Sequence, residues 1–363
     1  MKKAMILAND TGYVYNLRRE LIQGLAKEGY QTTVVGELLH HQDKLQALGC
    51  SLIGLVPGRH GTNPFADLAL FFKYLGILRR EKPDVVLSYN IKPNVYGGVA
   101  CHLLGIRHMP NITGLGTPVE YPGLMQQLTT RLYKLGVSGS ECVFFQNAEN
   151  RQFFRDRKML SKKSRTCLLP GSGVSLEMHP VKEYPPEGKI RFLFAARVMK
   201  EKGIDLFLVA ARKFHSEDVL FDVCGMCDDP HYLEVLQQAQ ADGILTYHGV
   251  QKDMNPFYEQ CSCFLFPSYY PEGMSNVLLE AAASGRPAIA ADRSGCRETV
   301  DDGVTGYVVP IRDEAAVLAA VEKFLALSWE ERKNMGLAAR AKIEKEFDRQ
   351  IVVDAYLKEI REG

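Results

Sequence analysis

The sequence predicts an α/β protein built from two doubly wound parallel-sheet domains in series. Three observations carry that prediction: the length, an alternation of short apolar runs with helical periodicity, and a Pro- and Gly-rich break between two rounds of it. At 363 residues the chain is about twice a common domain length. Its 46% hydrophobic and 24% charged content is ordinary for a globular protein.

The elements follow in order. "KAMILA" then "YNLRRELIQGLAKEG", "QTTVVGE" then "HHQDKLQALG", "PDVVLSYN" then "YGGVACHLLG", and "ECVFFQN" then "ENRQFFRDR" repeat a strand-then-helix rhythm, the pattern of a parallel sheet covered by helices. "LLPGSGVSLEMHPVKEYPPEGK" (168–189) interrupts it and reads as the interdomain connection. The rhythm restarts with strand candidates "IRFLFAARV", "VLFDVCGM", "LTYHGV", "CSCFLFPS", "RPAIAA" and "GYVVP", and with helices at 204–215 and 275–284. The expected domains are 1–168 and 169–347. Residues 348–363 carry a last helix, from about Asp348 to Ile360, that can pack back on either half, the N-terminal domain included. In such sheets ligands collect at the carboxyl ends of the strands, which makes a cleft between the two domains the natural site.

"MKKAMILANDTGY" begins with lysines, but its apolar run ends at Asn9 and Asp10, too early for a signal peptide, and reads as a first strand. With no apolar run of about 18 residues to span a bilayer, the expected location is cytoplasmic, with peripheral attachment to the inner face of the membrane open. Nine irregularly spaced cysteines suit free thiols. Cys224 and Cys227 have a redox- or zinc-like spacing without a matching second pair, and read as small buried hydrophobes. Net charge is +1, but residues 1–170 hold 22 Lys and Arg against 12 Asp and Glu, whereas the remainder holds 22 against 31. A basic first half suits an anionic partner.

The chemistry concentrates in "PSYYPEGMSNVLLEAAASGRPAIAA" (267–291). Gly273 permits a sharp turn, and the amides after it form an open helix N-terminus, which suits phosphate. Glu272, before that terminus, would repel a bare phosphate and suits hydroxyls attached to it. Glu280, one and a half turns on, can accept from a second set of hydroxyls. Phosphate in the middle with polyols at both ends describes a sugar nucleotide; the plain alternative is a helix cap and an exposed helical charge. In "AARVMKEKGIDL", Arg197 follows a strand and Lys202 precedes Gly203 and a helix. Two cations there can neutralise a diphosphate without metal, the plain alternative being solvated basic residues on a loop.

Together these stretches, with "GCRETVDDGVTGYVV", resemble the retaining family 4 glycosyltransferases of the GT-B fold, α/β proteins with two Rossmann-like doubly wound domains facing each other across a cleft. The resemblance implies that Arg197 and Lys202 hold the donor diphosphate, Glu272 contacts the donor sugar, and Glu280 the ribose. It places the backbone from Gly273 through Met274, Ser275, Asn276 and Val277 against sugar and phosphate, and Gly249 and Val250 of "YHGV" beside the nucleobase. It implies retention at the anomeric carbon with no metal and no cofactor, the UDP-sugar being a substrate.

"NDTGYVYNLRRELIQGLAKEGY", "NPFADLALFFKYLGILRREKPDVVLSYNIKPNVYGG" and "NITGLG" look like a bacterial branch that includes N-acetylhexosaminyl transferases acting on undecaprenyl-diphosphate-linked saccharides. That implies a polyprenyl-diphosphate-linked acceptor, rather than nucleic acid, as the anionic partner of the first half. Gly12, in the first strand-to-helix loop, would let the backbone approach the donor phosphate. Where many members carry a histidine, this chain has Asn111 to Gly116, so Thr113 stands as the candidate near the reacting sugar. His108 reads as a surface or satisfied histidine, and Lys92 as a candidate for the acceptor diphosphate.

On a helix from Phe65 to Lys82, the stripe Leu68, Phe72 and Leu75, extended by Phe65, Phe71 and Leu78, is expected in the core. Leu70, Tyr74 and Ile77, flanked by Lys73 and Arg80, would then face an anionic membrane, with a doubly buried helix or a dimer contact as the alternatives. Competing functions are a dinucleotide-dependent oxidoreductase, for which "ILANDTGYVYNLR" lacks the glycine fingerprint, a sugar-nucleotide epimerase, and a non-catalytic sugar-nucleotide binder.

Overall fold

Strands of a parallel sheet are covered on both faces, so they read as continuous apolar runs and their order follows from right-handed crossovers. The computed structural model describes residues 1–57, 64–116, 119 and 122–362; Asn63, which opens one of the quoted matches, lies outside them, as does Gly363. The chain divides into two units. The first comprises Met1–Gly173, Glu272–Met274 and Arg349–Gly363, and the second Val174–Pro271 and Ser275–Asp348.

In the first unit, strands β1 (Lys2–Asp10), β2 (Tyr30–Glu37), β3 (Ser51–Gly54), β4 (Val85–Tyr89), β5 (Arg107–Ile112), β6 (Cys142–Phe145) and β7 (Arg165–Leu168) form one parallel sheet in the order β3-β2-β1-β4-β5-β6-β7. Its helices are α1 (Thr11–Lys27), α2 (Gln42–Ala47), α3 (Pro64–Glu81), α4 (Gly98–Leu104) with a π-turn at Pro93–Gly97 before it, α5 (Leu124–Val137) and α6 (Ala148–Asp156). The order reverses between β1 and β4, so the crevice beyond their carboxyl ends is the switch point where such sheets bind ligands.

The second unit repeats the plan. Strands β8 (Ile190–Ala195), β9 (Val219–Cys224), β10 (Thr246–Tyr247), β11 (Cys263–Phe266), β12 (Ala288–Ala291) and β13 (Gly306–Val309) pair in parallel in the order β10-β9-β8-β11-β12-β13. Around them lie α7 (Ile204–Phe214), α8 (Pro230–Ala241), α9 (Asn255–Gln260), α10 (Asn276–Ala283), α11 (Glu314–Leu325) and α12 (Trp329–Glu346). Here the order reverses between β8 and β11.

The last helix, α13 (Arg349–Glu362), belongs to the first unit, where Val352, Val353, Tyr356 and Leu357 join the core beside α1. Arg349, nearly buried, donates to the Gly173 and Asn16 carbonyls and pairs with Glu20 at 3.0 Å. Burial alone would raise the Glu20 carboxyl, but the Arg349 charge and hydrogen bond outweigh it and hold it below its ordinary value. Its contribution to stability is therefore complete above the usual carboxylate range and lost as the pH falls through the depressed pKa. Arg349→Leu should cost about 3–5 kcal/mol in urea unfolding and should remove that acid dependence.

Helix α3 turns to the core a face that only partly matches the one expected: Leu78 is buried and Phe71 and Leu75 are half-buried as expected, but the centre of the buried face is Leu70 and Tyr74. Leu70, Tyr74 and Leu78 are buried against Met5, Leu7, Val35 and Val86, with Tyr74 0% exposed, whereas Phe65 is 84% exposed and Leu68 and Phe72 also face outward. Leu70 and Tyr74 therefore cannot touch a membrane, and Ile77 is half-buried. Lys73 and Arg80 are exposed as expected, Arg80 beside Glu81 at 2.7 Å. The helix carries apolar residues on almost every side, so its periodicity left two stripes, and the complementary surface of β1 and β4 selects between them.

Candidate active site

The loops after β8 and β11 flank the switch point of the second sheet, and backbone bonds stitch them in place. The Ala196 amide donates to the Cys224 carbonyl at 3.1 Å and the Val198 amide to Met226 at 2.8 Å, which holds the Arg197 loop against the loop after β9. Gly225 sits at φ +145°, and a Cβ there would lie 1.7 Å from the Ala196 carbonyl oxygen, so only glycine lets the two loops meet. A short 3₁₀ turn, Lys200–Lys202, ends at Gly203 with φ +83°. The Glu201 carbonyl accepts from the Tyr269 amide at 2.9 Å, joining that turn to the loop after β11. Lys202 is half-buried, its Nζ 4.8 Å from the Tyr270 ring centre, and Arg197 is exposed. Both cations thus leave the carboxyl end of β8, where a ligand diphosphate would lie.

Across the switch point, α10 begins at Asn276. Ser275 occupies its N-cap, yet the side chain makes no cap bond. The Ser275 amide donates to the Gly295 carbonyl at 2.7 Å, while Ser275 Oγ and Asn276 Oδ1 are buried and find no hydrogen-bond partner among the described residues. Buried polar atoms left unpaired beside an open helix terminus fit a polar or anionic ligand. Asn276 and Glu280 are four residues apart on one face of the helix. Glu280 accepts a 2.9 Å hydrogen bond from the Tyr258 hydroxyl. Burial, followed by the Glu280 charge, pushes the Tyr258 phenol well above its ordinary value, so it remains the donor. Tyr258 sets the Glu280 rotamer from 22 residues away, a partner that no local pattern reveals. Tyr258→Phe should weaken nucleotide binding about three- to tenfold, read by calorimetry with UDP, while leaving the fold unchanged in circular dichroism.

The loop carrying Gly249 and Val250 is also anchored. His248 Nε2 lies 2.6 Å from the buried Asp222, which Arg191 holds from its other oxygen at 2.6 Å, and the Gly249 carbonyl accepts from the Gly225 amide at 2.8 Å. Val250 is exposed and Val277 half-buried.

Glu272, Gly273 and Met274 are grouped with the first unit. There the Gly273 amide donates to the Thr113 carbonyl at 3.1 Å, and the Asn147 amide group donates to the carbonyls of Glu272 at 3.1 Å and Gly273 at 2.7 Å. The Thr113 contact is through its backbone. Asn147 also caps α6 by accepting from the Asn150 amide at 2.8 Å. Sequence reading passed over Asn147, although its position just before a helix is a cap signal.

Gly12 lies not in a loop but in the first turn of α1, because Asp10, the last residue of β1, is itself the N-cap, accepting from the Tyr13 amide at 2.8 Å. That carboxylate opposes a phosphate directly at this terminus. Lys92, just beyond β4, pairs with Asp67 at 3.0 Å. His108 is buried between Ser88 and Ser140 at 2.7 and 2.9 Å. Burial, helped by His102, pushes it down to about 3, so it stays neutral and structural. All nine cysteines are free thiols.

Residues 5–147 match the family model described as glycosyl transferase 4-like, and residues 177–342 the model described as glycosyl transferases group 1, so one model falls on each sheet. The chain belongs to the glycosyltransferases. An N,N'-diacetylbacillosaminyl-diphospho-undecaprenol α-1,3-N-acetylgalactosaminyltransferase from Campylobacter jejuni is 25% identical to this glycosyltransferase, across 95% of this chain and 94% of the relative. The capsular polysaccharide biosynthesis glycosyltransferase CapM of Staphylococcus aureus is 23% identical across 93% and 91%. Among solved structures, sucrose-phosphate synthase of Thermosynechococcus elongatus superposes with TM-score 0.79 at 17% identity, covering 100% of this chain and 99% of that one. Anabaena HepE in complex with UDP gives 0.78 at 15%, covering 100% of both. These likenesses establish the GT-B fold. No helix among the described residues is long and apolar enough to cross a membrane.

Proposed function

We propose that this glycosyltransferase moves an N-acetylhexosamine, with retention and without metal or cofactor, from a UDP-sugar to a polyprenyl-diphosphate-linked saccharide in surface-polysaccharide or glycoprotein-glycan synthesis, working peripherally at the cytoplasmic face of the membrane. One observation carries the donor half: Arg197 and Lys202 leave β8 at the switch point, and across it stands an open helix terminus whose Ser275 Oγ has no partner among the described residues. Two cations and a helix terminus suit a diphosphate, and Glu280, held by Tyr258, suits the ribose hydroxyls. The HepE structure holds UDP, and the name of the Campylobacter relative specifies both an N-acetylhexosamine and an undecaprenol-linked acceptor.

In the reaction the acceptor hydroxyl attacks the anomeric carbon on the face the diphosphate leaves. The bond from that carbon to the phosphate oxygen breaks, its electron pair departs with UDP, and the acceptor proton passes to the leaving phosphate oxygen. Arg197, Lys202 and the α10 amides stabilise charge that grows along this coordinate. The test is a panel of UDP-, GDP- and TDP-sugars with undecaprenyl-diphosphate mono- and disaccharides in EDTA, the product anomer being read by NMR. Transfer from a UDP-N-acetylhexosamine with the anomeric configuration kept, at a rate EDTA leaves unchanged, is expected. Inversion, or loss of turnover restored by a divalent cation, would overturn the mechanism. Donor conversion without acceptor would favour an epimerase.

A further inference from the structure

The first unit carries an apolar groove that takes no part in the donor residues. Helices α3, α4 and α5 gather on one side of the sheet, and a groove of about 400 Å³ opens between them. Its walls include Leu68 and Phe71 of α3, Val95 of the π-turn, and Leu128, Leu132 and Leu135 of α5. Leu135 is 60% exposed, and exposed Phe65 and Leu124 extend the apolar surface along the same helices. A surface of that kind marks a binding site rather than a solvated face.

Charge is arranged around it. Asp67, which lines the groove, is held by Lys92. Lys92 follows β4, one of the two strands that define the switch point of the first sheet. On α5, whose Leu128, Leu132 and Leu135 line the groove, Arg131 and Lys134 are exposed. A cation at a strand end with a dry groove leading away from it matches a molecule that joins a diphosphate to a hydrocarbon chain. We propose that the groove binds the isoprenoid units next to the diphosphate of the lipid-linked acceptor, Lys92 exchanging Asp67 for the diphosphate. The inference rests on the acceptor class proposed above and adds where its chain lies.

The experiment is calorimetry of the full chain with farnesyl diphosphate and with inorganic diphosphate. Burial of even a few chain carbons predicts about 30-fold tighter binding of the farnesyl compound. The double variant Leu128→Glu and Leu135→Glu, at exposed positions, should lose that preference, with its affinity for UDP as the folding control. Equal affinity for the two compounds, or a preference that survives the double substitution, overturns the proposal. Loss of sedimentation with phosphatidylglycerol vesicles while the farnesyl preference persists would make the patch a membrane contact instead. Transfer assays separate this from the functional reading. Equal KM for farnesyl- and methyl-capped diphosphate saccharides rejects the groove alone, whereas no transfer to any lipid-linked acceptor rejects the acceptor class on which it rests.

Discussion

Lys202→Ala is expected to lower kcat about 10²- to 10³-fold while changing the affinity for UDP-sugar far less. The ammonium sits at the end of a 3₁₀ turn whose geometry is closed by Gly203, where a Cβ would fall 2.4 Å from the Pro267 carbonyl oxygen. That close approach ties the turn to the loop after β11 and fixes where Lys202 begins. On the mechanism proposed above, the diphosphate charge is shared in the ground state with the helix terminus and Arg197. As the anomeric bond breaks, charge accumulates on the leaving oxygen, and a point cation gains most at that moment. Lys202→Arg should recover only part of the rate, because a planar fork does not place its charge where an ammonium does. Glu280→Ala should behave in the opposite sense, weakening donor binding about tenfold or more with a smaller change in kcat. If the two patterns are exchanged in steady-state kinetics, the roles of Lys202 and Glu280 exchange with them.

Why Lys202 and Glu280 could be named from sequence, and their supports could not, is a matter of range. The four inner strands of the second sheet fall in apolar runs, since central parallel strands are covered on both faces, whereas β10 is a two-residue edge strand, Thr246–Tyr247, found within a longer candidate run. In the first sheet β3, β5 and β7 lie outside the apolar runs that read as strands. β3 and β7 are short edge strands with half-exposed residues. β5 lies inside the sheet yet reads as polar, with Arg107, His108, Pro110 and Asn111. Most of its polar groups find partners far along the chain: Arg107 in Glu141, His108 in two serines, and Asn111 Nδ2, which donates to the Tyr356 hydroxyl at 2.6 Å, although Asn111 Oδ1 has no partner among the described residues. The same holds for the site. Arg197, Lys202, Glu272 and Glu280 sit in local loop-and-helix patterns, whereas Tyr258 and Asn147 act on them across 22 and 125 residues. The buried face of α3 needed the sheet beneath it for the same reason.

Gly273→Ala should be nearly as damaging as the loss of Lys202, for a geometric reason. The glycine is buried in the first unit, and an added Cβ would lie 2.5 Å from the Thr113 carbonyl oxygen and 2.4 Å from the Gln146 side-chain oxygen. Gln146 can turn aside, but the Thr113 contact is backbone and also accepts the Gly273 amide at 3.1 Å, so the segment Glu272–Met274 must move. Asn147 would then lose its two bonds to the carbonyls of Glu272 and Gly273. A displacement near 1 Å at a reacting group costs about 10²-fold in rate, so kcat/KM should fall by that order although no charge and no side-chain donor has been removed. Asn147→Ala provides the comparison. It removes the same two bonds without the steric push, and it also takes away the cap of α6, worth about 1 kcal/mol, so it should lose stability in urea and less activity than Gly273→Ala. A Gly273→Ala enzyme of wild-type kcat/KM would show that the position of Glu272 does not govern the chemistry, and would leave Arg197, Lys202 and the α10 terminus to carry it.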